Sequence, residues 1–500
     1  MNAMTRRMTK AVLVVVMAAG LCPVADAEPR THYDVDKAPW PCWRGPYGSG
    51  SAPSTGLELV DDLNKARPAW KSGDVIPPSS PPGGRQKSSI RTAFWSGGYT
   101  TPIVAEGRVF LVTWRPAGRK DWFYTEEDLK LSPRDNRNPA GKRSFGSDDL
   151  VLCLDAGTGK TLWKRVAGHG LLAKGYKQGV HQGICYYDGK VYAMGTSGLL
   201  YALDAATGEP VWEGRTSVFG LVEKRRKSGH SNPGGNRPVI DGSPAAIDGV
   251  VAISQGTVTA FDAKTGKQIW ADADKKSLRT GSRTMLNFWQ HQGRGYFYAA
   301  GRLWEAKTGR LCWEIQGAWD GVFSGDFLVA PLKTDEAKDG LVMACYRITP
   351  EAYELVWEVP GMGRLPPPTI HDGCVYAMFG EGAAGAKYNR GPTLCIDLLS
   401  GEVLAATETS VRAHVYTWGY VPMAADGRVF PNMNRPAMLN ADPKDLRYFN
   451  GTGHGGENPA EFPPSEATGA AYAGGFLYVR GETKEDGGRI YCYDLRAKTE

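Results

Sequence analysis

Residues 154–163 read Leu-Asp-Ala-Gly-Thr-Gly-Lys-Thr-Leu-Trp, and this stretch decides the fold because the chain repeats it. The pattern returns at 203–212, 261–270 and 304–313, and partial copies stand at 396–401 and 493–496. An acid, a glycine and a tryptophan keep one spacing in the four full copies: Asp155, Gly159, Trp163; Asp204, Gly208, Trp212; Asp262, Gly266, Trp270; Glu305, Gly309, Trp313. A spacing that is kept over four copies indicates a repeated structural unit.

Each copy predicts a β-hairpin. The apolar residues before the acid form one strand, the acid opens a turn, and the residues up to the tryptophan form the returning strand. Glycine is needed in the turn because a positive φ is costly for other residues. The repeat is therefore built from antiparallel strand pairs.

A second strand signal precedes each copy: a turn acid or glycine followed by alternating apolar residues. It occurs at 106–110, 188–192, 248–251, 295–298, 325–329, 372–376, 426–430 and 474–478. Each unit then holds four antiparallel strands, which is the signature of a β-propeller blade. The sequence predicts an all-β propeller of eight four-stranded blades. A count of seven stays open, because Arg347 stands in the acid position of unit five and unit seven has lost the motif.

The last copy stops after Asp494, before its turn glycine and its outer strand. Near the start of the propeller, Arg67-Pro-Ala-Trp70-Lys-Ser looks like that missing strand. We predict that residues 67–72 complete the last blade, close the ring and cover an edge that would otherwise promote aggregation.

The first residues have the pattern of an export signal. Arg6, Arg7 and Lys10 precede an apolar run from Ala11 to Leu21, and Ala25-Asp-Ala27 is a small-residue cleavage site. The run is too short to span a bilayer, and no later segment qualifies. We expect a signal peptide at 1–27, of the general secretory type rather than the twin-arginine type, an extended segment at 28–66 and the propeller at 67–500. The product would reside in the periplasm or outside the cell.

The net charge of +6 on 500 residues does not call for a polyanionic partner. Cys153, Cys345, Cys395 and Cys492 all occupy the position two residues before the turn acid or its replacement, where Ala202 and Ala260 stand in other units. That position asks for a small buried side chain, and equivalent positions of different blades are too far apart for disulfides. The repeated tryptophans are interpreted as packing between blades.

The repeat Asp-Ala-x-Thr-Gly-x-x-x-Trp, with the Asp-Gly-x-Val-Tyr strand before it, resembles the blade of the pyrroloquinoline-quinone (PQQ)-like propeller superfamily. That superfamily contains quinoprotein alcohol dehydrogenases and the non-enzymatic propeller subunit of the outer-membrane β-barrel assembly machinery. Trp40-Pro-Cys-Trp43-Arg44-Gly45-Pro46 resembles the entry segment of exported PQQ-like proteins. The resemblance covers residues 40–500, and it implies the fold more strongly than an activity.

Several features of the quinoprotein dehydrogenases are missing from this sequence, and their absence favours a binding protein over an enzyme. The quinoprotein dehydrogenases carry a disulfide between adjacent cysteines near the quinone, and this sequence has no Cys-Cys pair. It also lacks the Cys-x-x-Cys-His of a haem domain, and no calcium ligand set can be matched. We therefore expect no catalytic residues, no metal site and no resident cofactor; PQQ belongs only to the enzymatic alternative.

Function on a propeller usually sits where loops meet around the central channel. Residues expected just before the innermost strands are His181, Trp289, His291, Asp320, Arg364, Arg412, His414 and Trp418. Rings could stack on a sugar or a planar ligand, and Arg364 or Arg412 could pair with a carboxylate. Channel mouths are also commonly polar for structural reasons alone. Asp320 is the single acid of the set, which disfavours glycoside hydrolysis by a carboxylate pair.

The sequence favours an exported, non-catalytic propeller that binds or scaffolds an envelope or extracellular protein or glycan. We expect a monomer that binds no nucleic acid and has no transmembrane helix. The alternative is a quinoprotein oxidoreductase that holds PQQ and calcium in the channel mouth. Binding of PQQ and calcium with dye reduction distinguishes the two.

Overall fold

A computed structural model describes the chain in segments. The described residues are 27–74, 76, 100–116, 145–172, 183–220, 242–255, 257–272, 285–333, 341–362, 367–378, 388–408, 411–414, 422–432, 437–449, 462, 469–483 and 487–498. Among the described residues, the regular structure is β-strand apart from a short 3-10 helix at Leu63–Lys65 and two helical residues, Phe219 and Gly220. Within the described residues, no helix is long and apolar enough to cross a membrane.

Eight antiparallel sheets follow one another along the chain, and we number them as blades 1 to 8. Blade 1 contains β2 (Ile103–Ala105), β3 (Arg108–Pro116), β4 (Phe145–Asp155) and β5 (Thr161–Leu172). Blade 2 contains β6 (Ile184–Tyr187), β7 (Lys190–Met194), β8 (Leu199–Asp204) and β9 (Pro210–Arg215). Blade 3 contains β10 (Pro244–Ile247), β11 (Val250–Gln255), β12 (Thr257–Asp262) and β13 (Gln268–Ala271). Blade 4 contains β14 (Asn287–His291), β15 (Arg294–Ala299), β16 (Arg302–Glu305) and β17 (Leu311–Glu314).

The second half of the ring repeats this order. Blade 5 contains β18 (Val322–Ser324), β19 (Phe327–Leu332), β20 (Leu341–Ile348) and β21 (Tyr353–Met362). Blade 6 contains β22 (Thr369–His371), β23 (Cys374–Met378), β25 (Thr393–Asp397) and β26 (Val403–Ala406), with β24 (Tyr388–Gly391) and β27 (Val411–His414) paired outside it. Blade 7 contains β28 (Met423–Ala425), β29 (Arg428–Asn432) and β30 (Ala437–Asn440). Blade 8 contains β31 (Ala470–Ala473), β32 (Phe476–Thr483), β33 (Gly487–Asp494) and β1 (Arg67–Lys71).

The architecture confirms the eight-bladed propeller and its closure. Strand β1 pairs antiparallel with β33, with Arg67 opposite Asp494, so the first and last strands of the propeller share one sheet. Arg67 Nη2 lies 2.6 Å from Asp494 Oδ2 and adds an ion pair to the closure. The first strands of neighbouring blades lie side by side, as β2 does with both β31 and β6. These inner strands line the central channel.

Blade 7 differs from the four-stranded prediction. The described residues give it three strands, and the fourth position is reduced to a single bridge between Leu439 and Tyr448. The physical reason is local. Asn440-Ala-Asp-Pro-Lys-Asp445 replaces the turn of the repeat, so this blade has neither the turn glycine nor the tryptophan strand that follows it.

The repeated tryptophans join neighbouring blades, as predicted. Each indole Nε1 donates to a carbonyl in the turn of the next blade: Trp70 to Ala156 (3.0 Å), Trp163 to Ala205 (3.2 Å), Trp212 to Ala263 (3.1 Å), Trp270 to Ala306 (2.7 Å), Trp313 to Thr349 (2.9 Å) and Trp357 to Leu398 (2.8 Å). The turn glycines have positive φ, for example 70° at Gly159. The bond from Trp70 extends the same contact across the closure.

The cysteine position of the repeat is a packing position. Cys153, Cys345, Cys395 and Cys492 are each 0 or 1% exposed, and each lies in its own blade. In blades 1 and 5 this cysteine stands directly opposite the tryptophan of its own sheet, Trp163 or Trp357. All eight described cysteines are free thiols in the structure.

Candidate ligand site in the central channel

The N-terminal segment, residues 27–66, runs along the inner strands of the ring. In blade 1, the backbone of Trp40 exchanges two hydrogen bonds with Val104 (3.1 and 2.8 Å). In blade 7, Gly50 O accepts from Ala424 N (2.9 Å), and Ala52 N donates to Ala424 O (2.8 Å). The inner strands are sheet edges, and the segment satisfies part of their backbone.

The same segment meets the turns between the first and second strands of several blades. Thr55 N donates to Asp426 Oδ1 (2.6 Å) in the turn of blade 7, and Arg30 Nη1 lies 2.6 Å from Asp326 Oδ1 in the turn of blade 5. Trp40 and Cys42 are 0 and 1% exposed. The segment therefore fills the end of the channel at which these turns lie.

Glycines allow this close fit. Gly45, Gly48 and Gly50 have φ values of 68°, 69° and 82°, which other residues adopt only with strain. A Cβ atom on Gly48 would stand 2.8 Å from Asn287 Oδ1, and one on Gly50 would collide with Thr369 Oγ1. The segment approaches the inner strands at distances that only glycine permits.

Trp43 and Arg44 lie at the opposite end of the inner strands, where these strands begin. Trp43 Nε1 donates to Leu286 O (3.0 Å), and Arg44 Nη1 donates to Pro368 O (3.3 Å). Leu286 and Pro368 directly precede β14 and β22. The Arg44 guanidinium carbon lies 4.6 Å from the centroid of the Trp43 ring. These two residues form the floor of the channel on the side where the inner strands begin.

The Arg44 side chain is a buried cation with incomplete hydrogen bonding. It is 0% exposed, and its Nε and Nη2 atoms have no hydrogen-bond partner among the described residues. Burial lowers the pKa of its guanidinium to about 9, and the nearby Asp320 carboxylate opposes that shift. Buried donors without acceptors are rare and costly. Such a group is suited to meeting an anionic oxygen.

Asp320 is the acid that faces Arg44. It stands just before β18, keeps part of its surface exposed, and accepts a hydrogen bond from Met285 N (3.2 Å). Desolvation raises the pKa of its carboxyl to about 7, against the lowering effects of the Met285 N–H and the Arg44 charge. A carboxyl that titrates near neutral pH can exchange a proton with a bound ligand.

Of the eight rim residues that the sequence suggested, Asp320 is the one that the structure places beside Trp43 and Arg44. Trp289 and His291 lie within inner strand β14 rather than before it, so the predicted position was wrong for both. Trp289 is 2% exposed and donates to Gly325 O (2.9 Å), and its ring stacks on His291. His291 Nδ1 lies 2.9 Å from Asp326 Oδ1, at the end of the channel that the N-terminal segment fills.

The remaining rim residues stay predictions. His181, Arg364 and Trp418 lie outside the described residues. Arg412 and His414 lie in β27, which pairs with β24 outside the blades, and their side chains are outside the described part of the chain. Over the residues that the structure does describe, no group of three or more His, Cys, Asp or Glu side chains is arranged to hold a metal ion.

Sequence reasoning missed Trp43 and Arg44 as part of the site. The Trp-Pro-Cys-Trp-Arg-Gly-Pro motif resembles an entry segment, but nothing in the motif itself predicts that it lies inside the channel. The signal was available in principle, because two tryptophans, an arginine and several glycines crowd a segment with no strand pattern.

Comparisons with known proteins agree with the repeat and the ring. The family model described as outer membrane protein assembly factor BamB matches residues 147–318. The dehydrogenase subunit of the quinone alcohol dehydrogenase of Gluconobacter oxydans is 38% identical over 131 residues, 24% of this chain and 16% of that protein. The quinohemoprotein alcohol dehydrogenase of Comamonas testosteroni is 27% identical over 247 residues, 42% of this chain and 31% of that protein.

The solved structure of the quinohemoprotein alcohol dehydrogenase from Comamonas testosteroni superposes with a TM-score of 0.51 at 14% identity, over 95% of this chain and 84% of that one. At this identity the likeness is one of fold. The chain is a β-propeller with PQQ-like repeats, and it is similar to proteins of the quinoprotein alcohol dehydrogenase-like superfamily. Its sequence matches span less than a third of the length of the two curated relatives named above.

Proposed function

We propose that the chain is an exported, non-catalytic propeller that binds or scaffolds another component of the cell envelope through the loop face of its channel. The observation that carries this proposal is the floor of the channel. The protein's own N-terminal segment fills one end and holds the Arg44 guanidinium, with two unpaired nitrogens, near Asp320. A ligand then approaches from the end where the inner strands begin.

The floor favours a partner group that carries a carboxylate. Arg44 is a fixed positive charge in a desolvated place, where a charge-assisted hydrogen bond is stronger than at the surface. Trp43 places an aromatic ring beside it. An acidic side chain, a terminal carboxylate of a protein or an acidic sugar would supply the matching oxygen.

Citrate, a small tricarboxylate, is a direct probe. We expect citrate at constant ionic strength to raise the Tm of the wild-type protein and to leave Arg44→Gln unchanged, because the charge that the anion meets is gone. Arg165→Gln is the matched control. Arg165 lies on the outer strand of blade 1, away from the channel, and pairs with Glu209 of blade 2. An equal citrate response in wild type and Arg44→Gln would contradict the proposed site.

One observation favours the enzymatic alternative, a PQQ- and calcium-dependent oxidoreductase. The Asp320 carboxyl, with its pKa raised to about 7, has the property of a proton acceptor in alcohol oxidation. PQQ, which carries carboxylates, would supply the two-electron chemistry. The described residues fit it incompletely: Arg44 suits an anion, but donors for a calcium ion are not grouped there.

Incubation with PQQ and calcium distinguishes the two functions. The binding proposal expects no bound-quinone absorbance and no alcohol-dependent dye reduction. If both appear in wild type and dye reduction alone is lost in Asp320→Asn, the chain is an enzyme and the non-catalytic proposal is wrong.

A further inference from the structure

Blade 6 holds two cysteines on one face of one sheet. Cys374 begins β23 opposite Asp397, and Tyr376, two residues later, stands opposite Cys395. Residues two apart on a strand point to the same face, so Cys374 and Cys395 are diagonal neighbours. Strands β23 and β25 are hydrogen-bonded partners, which fixes this arrangement.

The two thiols lie in one buried cluster. Cys374, Tyr376 and Cys395 pack together at the junction with blade 7, and each of the two thiols shifts the pKa of the other. Cys395 is 0% exposed, whereas Cys374 is 8% exposed and follows the solvent-exposed Asp372-Gly373 turn. One sulfur is therefore close to the surface, and the second lies directly behind it.

The repeat shows that this pair is a feature of blade 6 rather than of the fold. Arg108 and Cys153 occupy the corresponding positions in blade 1. Lys190 and Ala202 occupy them in blade 2. Cys374 thus replaces the cation that stands opposite the turn acid in those blades.

We propose that Cys374 and Cys395 form a dithiol that is oxidised to a disulfide within blade 6 by exchange with a small disulfide such as oxidised glutathione. The Cys374 thiolate attacks one sulfur of the oxidant and forms a mixed disulfide with that glutathione, while the S–S bond of the oxidant breaks and the other glutathione leaves as a thiolate that takes up a proton. Cys395 then loses its proton and attacks the Cys374 sulfur, so the second glutathione leaves and the Cys374–Cys395 bond forms. Two thiols are oxidised and one disulfide is reduced to two thiols.

The environments of the two sulfurs set the order of these steps. The neighbouring Cys395 thiol lowers the pKa of Cys374, whereas the neighbouring Cys374 thiol, together with burial, raises the pKa of Cys395. Cys374 is then the attacking thiolate and Cys395 the resolving thiol. The inference does not rest on the proposed binding function, because it concerns a sheet outside the channel floor.

The test treats the native protein with excess oxidised glutathione, then denatures it and counts thiols. We expect wild type to lose two thiols, to lose the mass of two hydrogen atoms, and to yield a peptide pair that links Cys374 to Cys395. The variant Cys395→Ala, which introduces the residue that Ala202 supplies in blade 2, should keep one glutathione on Cys374, because the resolving thiol is gone.

Cys153→Ala is the matched control, since Cys153 fills the same repeat position in blade 1 and has no cysteine opposite the turn acid. It should still form the Cys374–Cys395 link. The proposal is overturned if native wild type keeps all its thiols, or if it retains glutathione on Cys374 without forming the link.

Discussion

Trp163 and Gly208 show how single residues join two blades. The Trp163 indole donates to Ala205 O of the next blade (3.2 Å) and lies over the turn that Gly208 completes. Gly208 has a φ of 73°, and a Cβ atom there would stand 2.6 Å from the Trp163 ring. The glycine is therefore required twice, once by its own backbone and once by the neighbouring ring.

A pair of glycine substitutions separates these two requirements. Gly189 has a φ of 71°, but no atom lies within 4 Å of a Cβ placed there. We expect Gly189→Ala to cost about 1–2 kcal/mol, the price of a left-handed alanine. Gly208→Ala should cost about 1–3 kcal/mol more, because it also displaces the Trp163 ring. Urea unfolding measures both, and equal losses would show that the indole contact contributes nothing.

Asp320 makes the stability of the fold depend on pH. Its pKa is about 7 in the folded protein, above the ordinary value of 3.8, so the folded state binds more protons between these values. The free energy of unfolding therefore falls as pH rises through this window and is constant above it. We expect the free energy of unfolding of the wild type to be about 2 kcal/mol higher at pH 4 than at pH 8 because of Asp320, and Asp320→Asn should remove this difference. The figure is smaller than the full pKa shift would give, because part of the Asp320 side chain is exposed to solvent. A pH series of urea unfolding curves for both proteins measures this, and parallel curves would contradict it.

These residues also show where sequence reasoning works. Asp155, Gly159 and Trp163 were predictable because a turn acid, a left-handed glycine and an interblade indole are local requirements that each blade repeats. Trp289 and His291 were misplaced because the polar Asn287, Gln290 and His291 hide the strand pattern of β14. Arg44 comes near enough to Asp320 to affect its pKa only through the folded ring, and no local pattern encodes that proximity.

At the scale of elements, the N-terminal segment (residues 27–66) is bound to the ring although it forms no strand of its own. Isolated bridges and side-chain bonds connect the N-terminal segment to blades 1, 5, 6 and 7. In blade 6, for example, Ile370 N donates to Ser49 O of the segment (3.1 Å). The motif around Trp40 was visible in the sequence, but irregular backbone has no period from which its path could be predicted. Blade 7 is a different case: the loss of its motif left the number of blades open in the sequence, and the structure shows a blade of three strands within the described residues.

Gly50→Ala should release this segment from the ring. Gly50 has a φ of 82°, and a Cβ atom there would collide with Thr369 Oγ1. We expect limited proteolysis to cut the variant between residues 45 and 60 at conditions under which wild type is resistant, because local opening precedes cleavage. Gly56→Ala is the control, since Gly56 has a positive φ of 68° but an unobstructed Cβ position. Identical cleavage rates for both variants would show that the contact with blade 6 does not hold the segment.

At the scale of the whole molecule, stability depends on how the ring closes. Strand β1 covers the outer edge of β33, and Trp70 lies over Gly159 and donates to Ala156 O of blade 1 (3.0 Å). Closure therefore uses the same tryptophan contact as the five junctions between blades 1 and 6. It was predictable because the last repeat is short by one strand and a matching strand stands near the start of the propeller.

Two deletions distinguish closure from the filling of the channel. Removal of residues 28–66 takes away the N-terminal segment but keeps β1, whereas removal of 28–71 also exposes the edge of β33. We expect the shorter deletion to stay monomeric with a lower Tm, because buried contacts such as that of Trp40 with Val104 are lost. The longer deletion should self-associate through the open edge. Light scattering after size exclusion measures this, and two equally monomeric and equally stable variants would mean that β1 does not hold the ring together.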